Sequence, residues 1–141
     1  MSSQGKSSLK QRIAEEMTAD YSNALEKNFD LAKQFVRITK DGKVEVLVKE
    51  KVSGVEQILL YLIGKLYAKE VGYIPTNDTG NVELMNELGI PKGSLLPWQK
   101  ILRDEKKITK VKKGKHVNHS IASNVVERVL KSIDVKLRKK S

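Results

Sequence analysis

Apolar positions along the chain change their period several times, and each change marks an element. From Ser8 onward Leu9, Ile13, Met17, Tyr21 and Leu25 recur every four residues, one narrow stripe on a long amphipathic helix. Leu31, Ala32, Phe35 and Val36 continue it past Asn28-Phe29-Asp30, so the spacing predicts a helical segment over 8–36. Alternation replaces this period at Val44, Val46 and Val48. With Arg37-Ile38-Thr39-Lys40 before it and Asp41-Gly42 between, it predicts a β-hairpin on a type I′ turn. Ser53-Gly54-Val55-Glu56 reads as a capping box. The helix it opens, to about Glu70, is apolar nearly all round and is the candidate central core helix, with Gly72 as its left-handed stop.

The second half is patterned differently. Ile74 to Gly80 reads as a loop. A short helix over about 81–88 should turn Val82, Met85 and Leu88 inward and stop at Gly89. After Ile90-Pro91-Lys92-Gly93-Ser94 a further helix should reach about Glu105. Ile108–Lys112 and Lys115–Asn118 pair as a second hairpin around Lys113-Gly114, and Ser120 should cap a last helix carrying Ile121, Val125, Val126, Val129, Leu130 and Ile133. Residues 1–7 read as a disordered tail and 134–141 as a basic tail. The fold class is therefore mainly α with small β-hairpins.

The 141 residues make one domain of a size that buries about two thirds of its unfolded surface. The absence of cysteine excludes disulfides, thiolate metal sites and a cysteine nucleophile. The longest apolar run, Ile58–Ile63, is far short of the ~20 residues that cross a bilayer, and the N-terminus has no secretory apolar region. The expected setting is cytoplasmic and nucleoid-associated, with no membrane contact. Charge adds the most. Between Lys92 and Ser141 lie 15 basic and 4 acidic residues, against 12 and 13 in the rest of the chain. The whole excess of +10 thus sits in the last third, as a polyanion-binding surface requires.

Residues 81–117 carry a resemblance. Val82-Glu83-Leu84-Met85-Asn86-Glu87-Leu88-Gly89-Ile90, then Gly93-Ser94-Leu95, Ile101-Leu102-Arg103-Asp104-Glu105 and Ile108 through Val117 resemble a winged helix-turn-helix DNA-binding domain. The resemblance covers about a quarter of the chain, flanked here by a long N-terminal helix and a C-terminal helix. It implies that the helix near 95–105 enters the major groove of duplex DNA and that the hairpin, the wing, meets the backbone or minor groove. Lys92, Ser94, Gln99, Lys100 and Arg103 are then candidate contacts from the helix, and Lys107, Lys110, Lys112, Lys113, Lys115 and His116 from the wing. Arg and Lys suit guanine edges and Gln suits adenine. Leu95, Trp98, Ile101 and Leu102 should face inward.

Pro97 is awkward in such a helix. With Ser94 as cap it falls in the first turn; with a start at Pro97 the helix shortens and base readout weakens, favouring the wing. His116 and His119 lack further ligands, so no metal site or cofactor is expected, and no small-molecule ligand is evident. Leu9, Ile13, Met17, Tyr21 and Leu25 are the candidate dimerisation stripe of a homodimer, which would set two recognition helices one DNA turn, about 34 Å, apart. Phosphate-loop, nucleophile-elbow and zinc-protease motifs are missing, so the chain does not read as an enzyme. A dimeric transcriptional regulator or chromatin-associated factor, of archaeal-like composition, is the expectation. An RNA-binding ribonucleoprotein module or a winged-helix interaction adaptor are the alternatives.

Overall fold

The structure, a computed structural model, describes residues 8–18 and 23–140. The proposed disordered tail 1–7, Tyr21 of the stripe and the last residue of the basic tail lie outside them. Among the described residues the chain is mostly helical with two small antiparallel sheets.

The centre is α4 (Gly54–Glu70), whose Ser53–Glu56 capping box has both arms in place. Ile58 through Ile63 are buried without a gap, so this helix is the core axis. It ends as expected at Gly72, whose φ is +90° and whose N–H reaches the Lys69 carbonyl while that of Tyr73 reaches Ala68.

The N-terminal segment is not one long helix. It forms α1 (Leu9–Glu16), α2 (Ala24–Lys27) and α3 (Phe29–Phe35). Buried Asn28 separates the last two, its side chain donating to the Ala24 carbonyl at 2.8 Å, a bond that competes with the helical ladder. Val36, read as helical, opens β1 (Val36–Ile38), which pairs with β2 (Val44–Val46). The turn is not type I′, which needs positive φ at both central residues. Only Gly42 has it, and the Gly42 N–H closes on the Thr39 carbonyl. That is a type I turn completed by a left-handed glycine. The hairpin lies on α4 at Gly64, where a Cβ would come within 2.5 Å of the Val44 side chain.

A strand appears where a loop was expected. β3 (Thr79–Gly80) leads into α5 (Asn81–Leu88). There Leu84 is buried and Val82 exposed, the reverse of the expectation for Val82, because α5 turns its 84/88 edge toward α4. Gly89 ends α5 in the left-handed conformation. After Gly89-Ile90-Pro91, α6 (Lys92–Asp104) begins, with Pro91 rather than Ser94 as cap and its carbonyl accepting from Ser94 and Leu95. Pro97 therefore sits inside the helix, contrary to both expected placements. The carbonyl it leaves without an i+4 donor belongs to exposed Gly93, where water can serve.

β4 (Ile108–Lys113) and β5 (His116–Ile121) form the second hairpin, with Gly114-Lys115 as its loop, one residue later than expected. β3 joins the far side of β5, so the sheet order is β3-β5-β4. Ser120 and Ile121 belong to β5 and cap nothing. The last helix, α7 (Ser123–Lys140), starts later and runs through most of the basic tail. Its buried edge Val125, Val126, Val129, Leu130 and Ile133 continues to Leu137, which rests on the core.

Candidate nucleic-acid interface

The two strands of the β4–β5 hairpin alternate their side chains. Ile108, Lys110 and Lys112 share one face with their partners Ile121, His119 and Val117. Ile108 and Ile121 anchor that face in the core. Beyond them the next two β4 positions of that face are Lys110 and Lys112, exposed although His119 opposite Lys110 is still buried. From Lys106 to Val126 the chain carries six lysines and no carboxylate.

Two of those lysines are neutralised from outside. Lys107 pairs with Glu105 at 3.2 Å and Lys113 with Asp78 at 3.1 Å. Burial alone would raise the Asp78 carboxyl, but hydrogen bonds from Asn118, Thr76 and Lys113 outweigh it and hold it at about 2. Lys106, Lys110, Lys112 and Lys115 are exposed and make no ion pair among the described residues. Lys106 is also the one described non-glycine residue with positive φ, +60°. It ends α6 in a paired C-terminal turn, where the N–H groups of Lys106 and Lys107 reach the Arg103 and Leu102 carbonyls. A side chain in this conformation costs roughly 1–2 kcal/mol, so the site keeps a lysine where glycine would be easier.

Helix α6 divides the other candidates. Lys92 and Lys100 are exposed, Ser94 half-buried, and Lys100 is drawn to Asp104 at 2.9 Å. Gln99, expected to point outward, is buried at 1% exposure and donates to Asn81 Oδ1 at 2.8 Å. Arg103 is half-buried and bonds the His119 Nε2 at 2.9 Å. Since a guanidinium only donates, Nε2 accepts, and the ring is neutral with its proton on Nδ1. Burial first, then the charges of Arg103 and Lys110, push His119 down to about 4. Ile101, expected inward, is 47% exposed. Trp98 is half-buried against Gly54, whose hydrogen leaves room for the indole; a Cβ there would lie 2.2 Å from the ring. The solvent face of α6 is thus Lys92 and Gly93 at its start, then Leu96, Pro97, Lys100, Ile101 and Asp104. His116 and Lys115 lie at the exposed hairpin tip.

Among the described residues, three buried polar atoms around this site have no hydrogen-bond partner: Thr79 Oγ1, Gln99 Oε1 and His119 Nδ1. A second polar cluster lies under α5. Lys65, 5% exposed, reaches Glu83 at 2.8 Å and the Gly42 carbonyl at 2.7 Å, and the Tyr61 hydroxyl donates to the same Glu83 carboxylate. Burial and the Glu83 charge push the Tyr61 phenol well above its ordinary value. Sequence reading passed over this cluster. Its signal was Lys65 itself, alone in an otherwise apolar turn. Lys106 and Asp78 gave no comparable signal.

The remaining candidates sit elsewhere. Leu9, Ile13 and Met17 are exposed, whereas Leu25 packs on the core. An open groove of about 830 Å³ lies beside Leu25, between α2, α3, β1 and the end of α4. Among the described residues no group of three His, Asp or Glu side chains is set to hold a metal ion, and no helix is long and apolar enough to cross a membrane. In comparisons with known proteins, the chain matches no family model, no curated protein and no solved structure.

Proposed function

We propose that this protein binds duplex DNA as a winged helix-turn-helix module, holding the phosphate backbone with its β4–β5 hairpin. The observation that carries the reading is the set Lys106, Lys110, Lys112 and Lys115, four exposed ammonium groups within ten residues and without a carboxylate partner. Cations left unpaired on a protruding hairpin are suited to phosphates, whose condensed counterions they release. The element order supports it: β3, α5, a three-residue turn, α6, then a hairpin whose second strand pairs with β3. A three-residue turn is the length a helix-turn-helix uses.

Base readout is the weaker part of this activity. Of the helix candidates, Gln99 is spent on Asn81 and Arg103 on His119. What α6 offers the solvent is Leu96, Pro97 and Ile101, with Lys100 held by Asp104 and Lys92 exposed at its first position. Such a face can touch thymine methyls but has few groups for guanine or adenine edges. Binding of low sequence specificity, as in a chromatin-associated factor, follows better than tight selection of one operator.

The experiment is a titration of labelled random duplex DNA at several salt concentrations. Four phosphate contacts give a slope of log affinity against log salt near about −3.6, and Lys110→Gln with Lys112→Gln together reduce its size by about 1.8. No binding at low salt, or a slope indifferent to both substitutions, refutes the proposal. The apolar face of α6 favours one other reading, a protein-interaction adaptor, with Leu96 and Ile101 44% and 47% exposed. Its signature is a partner whose binding ignores salt and is lost in Ile101→Glu. Single-stranded RNA fits less well, since no Phe, Tyr or Trp lies between Lys106 and Ile121 and His116 is the one exposed ring there that could stack on a base.

A further inference from the structure

α1 is a helix without a surface to lie on. It has eight residues, and none of them is buried. Isolated helices shorter than about 12–15 residues are marginal in water. Ser8 caps it, with its Oγ accepting from the Gln11 N–H, and Arg12 pairs with Glu16 at 3.5 Å. Such contacts contribute tenths of a kcal/mol each when exposed and do not hold a helix by themselves. Along one side it presents Leu9, Ile13 and the adjoining Met17 to solvent, 70%, 43% and 79% exposed. This is the larger part of the stripe that reads as a dimerisation surface.

The opposite shape is available on the same protein. The groove of about 830 Å³ is floored by Leu25, Ala32, Val36 and Tyr67 and flanked by Phe29 and Val71, both more than half exposed. No residue of α1 lines it. Glu26, Glu70, Lys33 and Arg37 stand at its edge, two of each sign. α1 carries the matching set, Lys10 and Arg12 followed by Glu15 and Glu16. Neither surface carries a net charge that would repel the other.

We propose that the groove receives α1 of a second copy of this chain, in a reciprocal exchange that makes a twofold dimer. Leu9, Ile13 and Met17 cover Phe29, Tyr67 and Val71 of the other protomer, and the same contact repeats in return, as a twofold exchange requires. Asn23, six positions after Met17 in the chain, lines the groove, whereas α1 does not. The inference does not depend on nucleic-acid binding, and the two fail separately.

The chain has no cysteine, so each introduced thiol is unique. The 141-residue chain should have a dimer mass by light scattering. Ile13→Glu and Val71→Glu, both at exposed positions, should each yield a folded monomer with unchanged far-ultraviolet dichroism outside the small α1 contribution. Chains carrying Ile13→Cys mixed with chains carrying Phe29→Cys should form a disulfide-linked heterodimer on mild oxidation. A monomeric wild type overturns the proposal. So does a dimer that survives both Glu substitutions. In a chain carrying both Ile13→Cys and Phe29→Cys, an intrachain disulfide with no crosslinked dimer assigns the groove to the chain's own α1 and equally overturns it.

Discussion

Acidification should expose the buried His119. The ring is 1% exposed, accepts from Arg103 at Nε2, and leaves its Nδ1 proton without a partner among the described residues. Its burial, reinforced by Arg103 and Lys110, lowers its pKa from 6.5 to about 4. In the unfolded chain the ordinary value returns. Above 6.5 the ring is neutral in both states and pH has no effect through it. Between 6.5 and 4 the unfolded chain takes up a proton that the folded chain refuses, so stability falls as pH falls. Below 4 both states are protonated and the loss levels off. A gap of that width corresponds to about 3 kcal/mol, at about 1.4 kcal/mol for each tenfold in proton affinity. Urea denaturation followed by Trp98 fluorescence, repeated in steps across that window, measures it. His119→Gln, which keeps an acceptor for Arg103 but cannot titrate, should flatten the loss. Asp78 does not confuse the result, because its own contribution is lost only as pH falls from 3.8 through about 2. Equal acid losses in wild type and His119→Gln, or an imidazole that titrates near 6.5 by nuclear magnetic resonance, would refute the reasoning.

Three further outcomes follow from single contacts. Glu83→Gln strips the charge that faces Lys65 and should cost about 3 kcal/mol in denaturant melts, the low end for a broken buried pair because Glu83 is 22% exposed. An unchanged midpoint would mean that the Lys65 ammonium is satisfied by the Gly42 carbonyl alone. Thr79→Val removes a buried hydroxyl with no partner among the described residues and should stabilise by about 1 kcal/mol, whereas destabilisation would reveal an ordered water on that oxygen. Lys106→Gly relieves the left-handed residue and should raise stability by up to about 1 kcal/mol. The same change should reduce the size of the DNA salt slope by about 0.9, and a slope that stays constant would remove Lys106 from the interface.

Much of the frame was legible in the chain. The Ser53–Glu56 box, the apolar run from Ile58 and the stop at Gly72 define α4 because caps and left-handed glycines act within a few residues of themselves. Both hairpins were legible for the same reason, since alternation and a glycine turn are local signals. The localisation of positive charge was equally plain, and it led to the lysines of the β4–β5 hairpin.

What depended on tertiary structure was the direction each polar side chain takes. Gln99 lies on α6 between residues that face the core, and its amide turns inward because Asn81 on α5 offers an acceptor. Arg103 is held by His119 from β5, and Lys113 by Asp78 from the segment before β3. These partners stand 16 to 40 residues away for the bonds at His119, Gln99 and Asn118, beyond the reach of any periodicity. The N-terminal segment shows the same limit from the other side. A four-residue repeat from Leu9 to Leu25 is one stripe on paper. Asn28, bonded back to Ala24, breaks the helix further on, and Leu25 meets a core that Leu9 and Ile13 never touch. The sequence by itself determined the bounds of α4 and the presence of both hairpins, what charge the last third carries and which residues are able to form a core. Only the packed chain decided which cations stay free, because an ion pair or a buried amide depends on distance in space, and local pattern does not encode it.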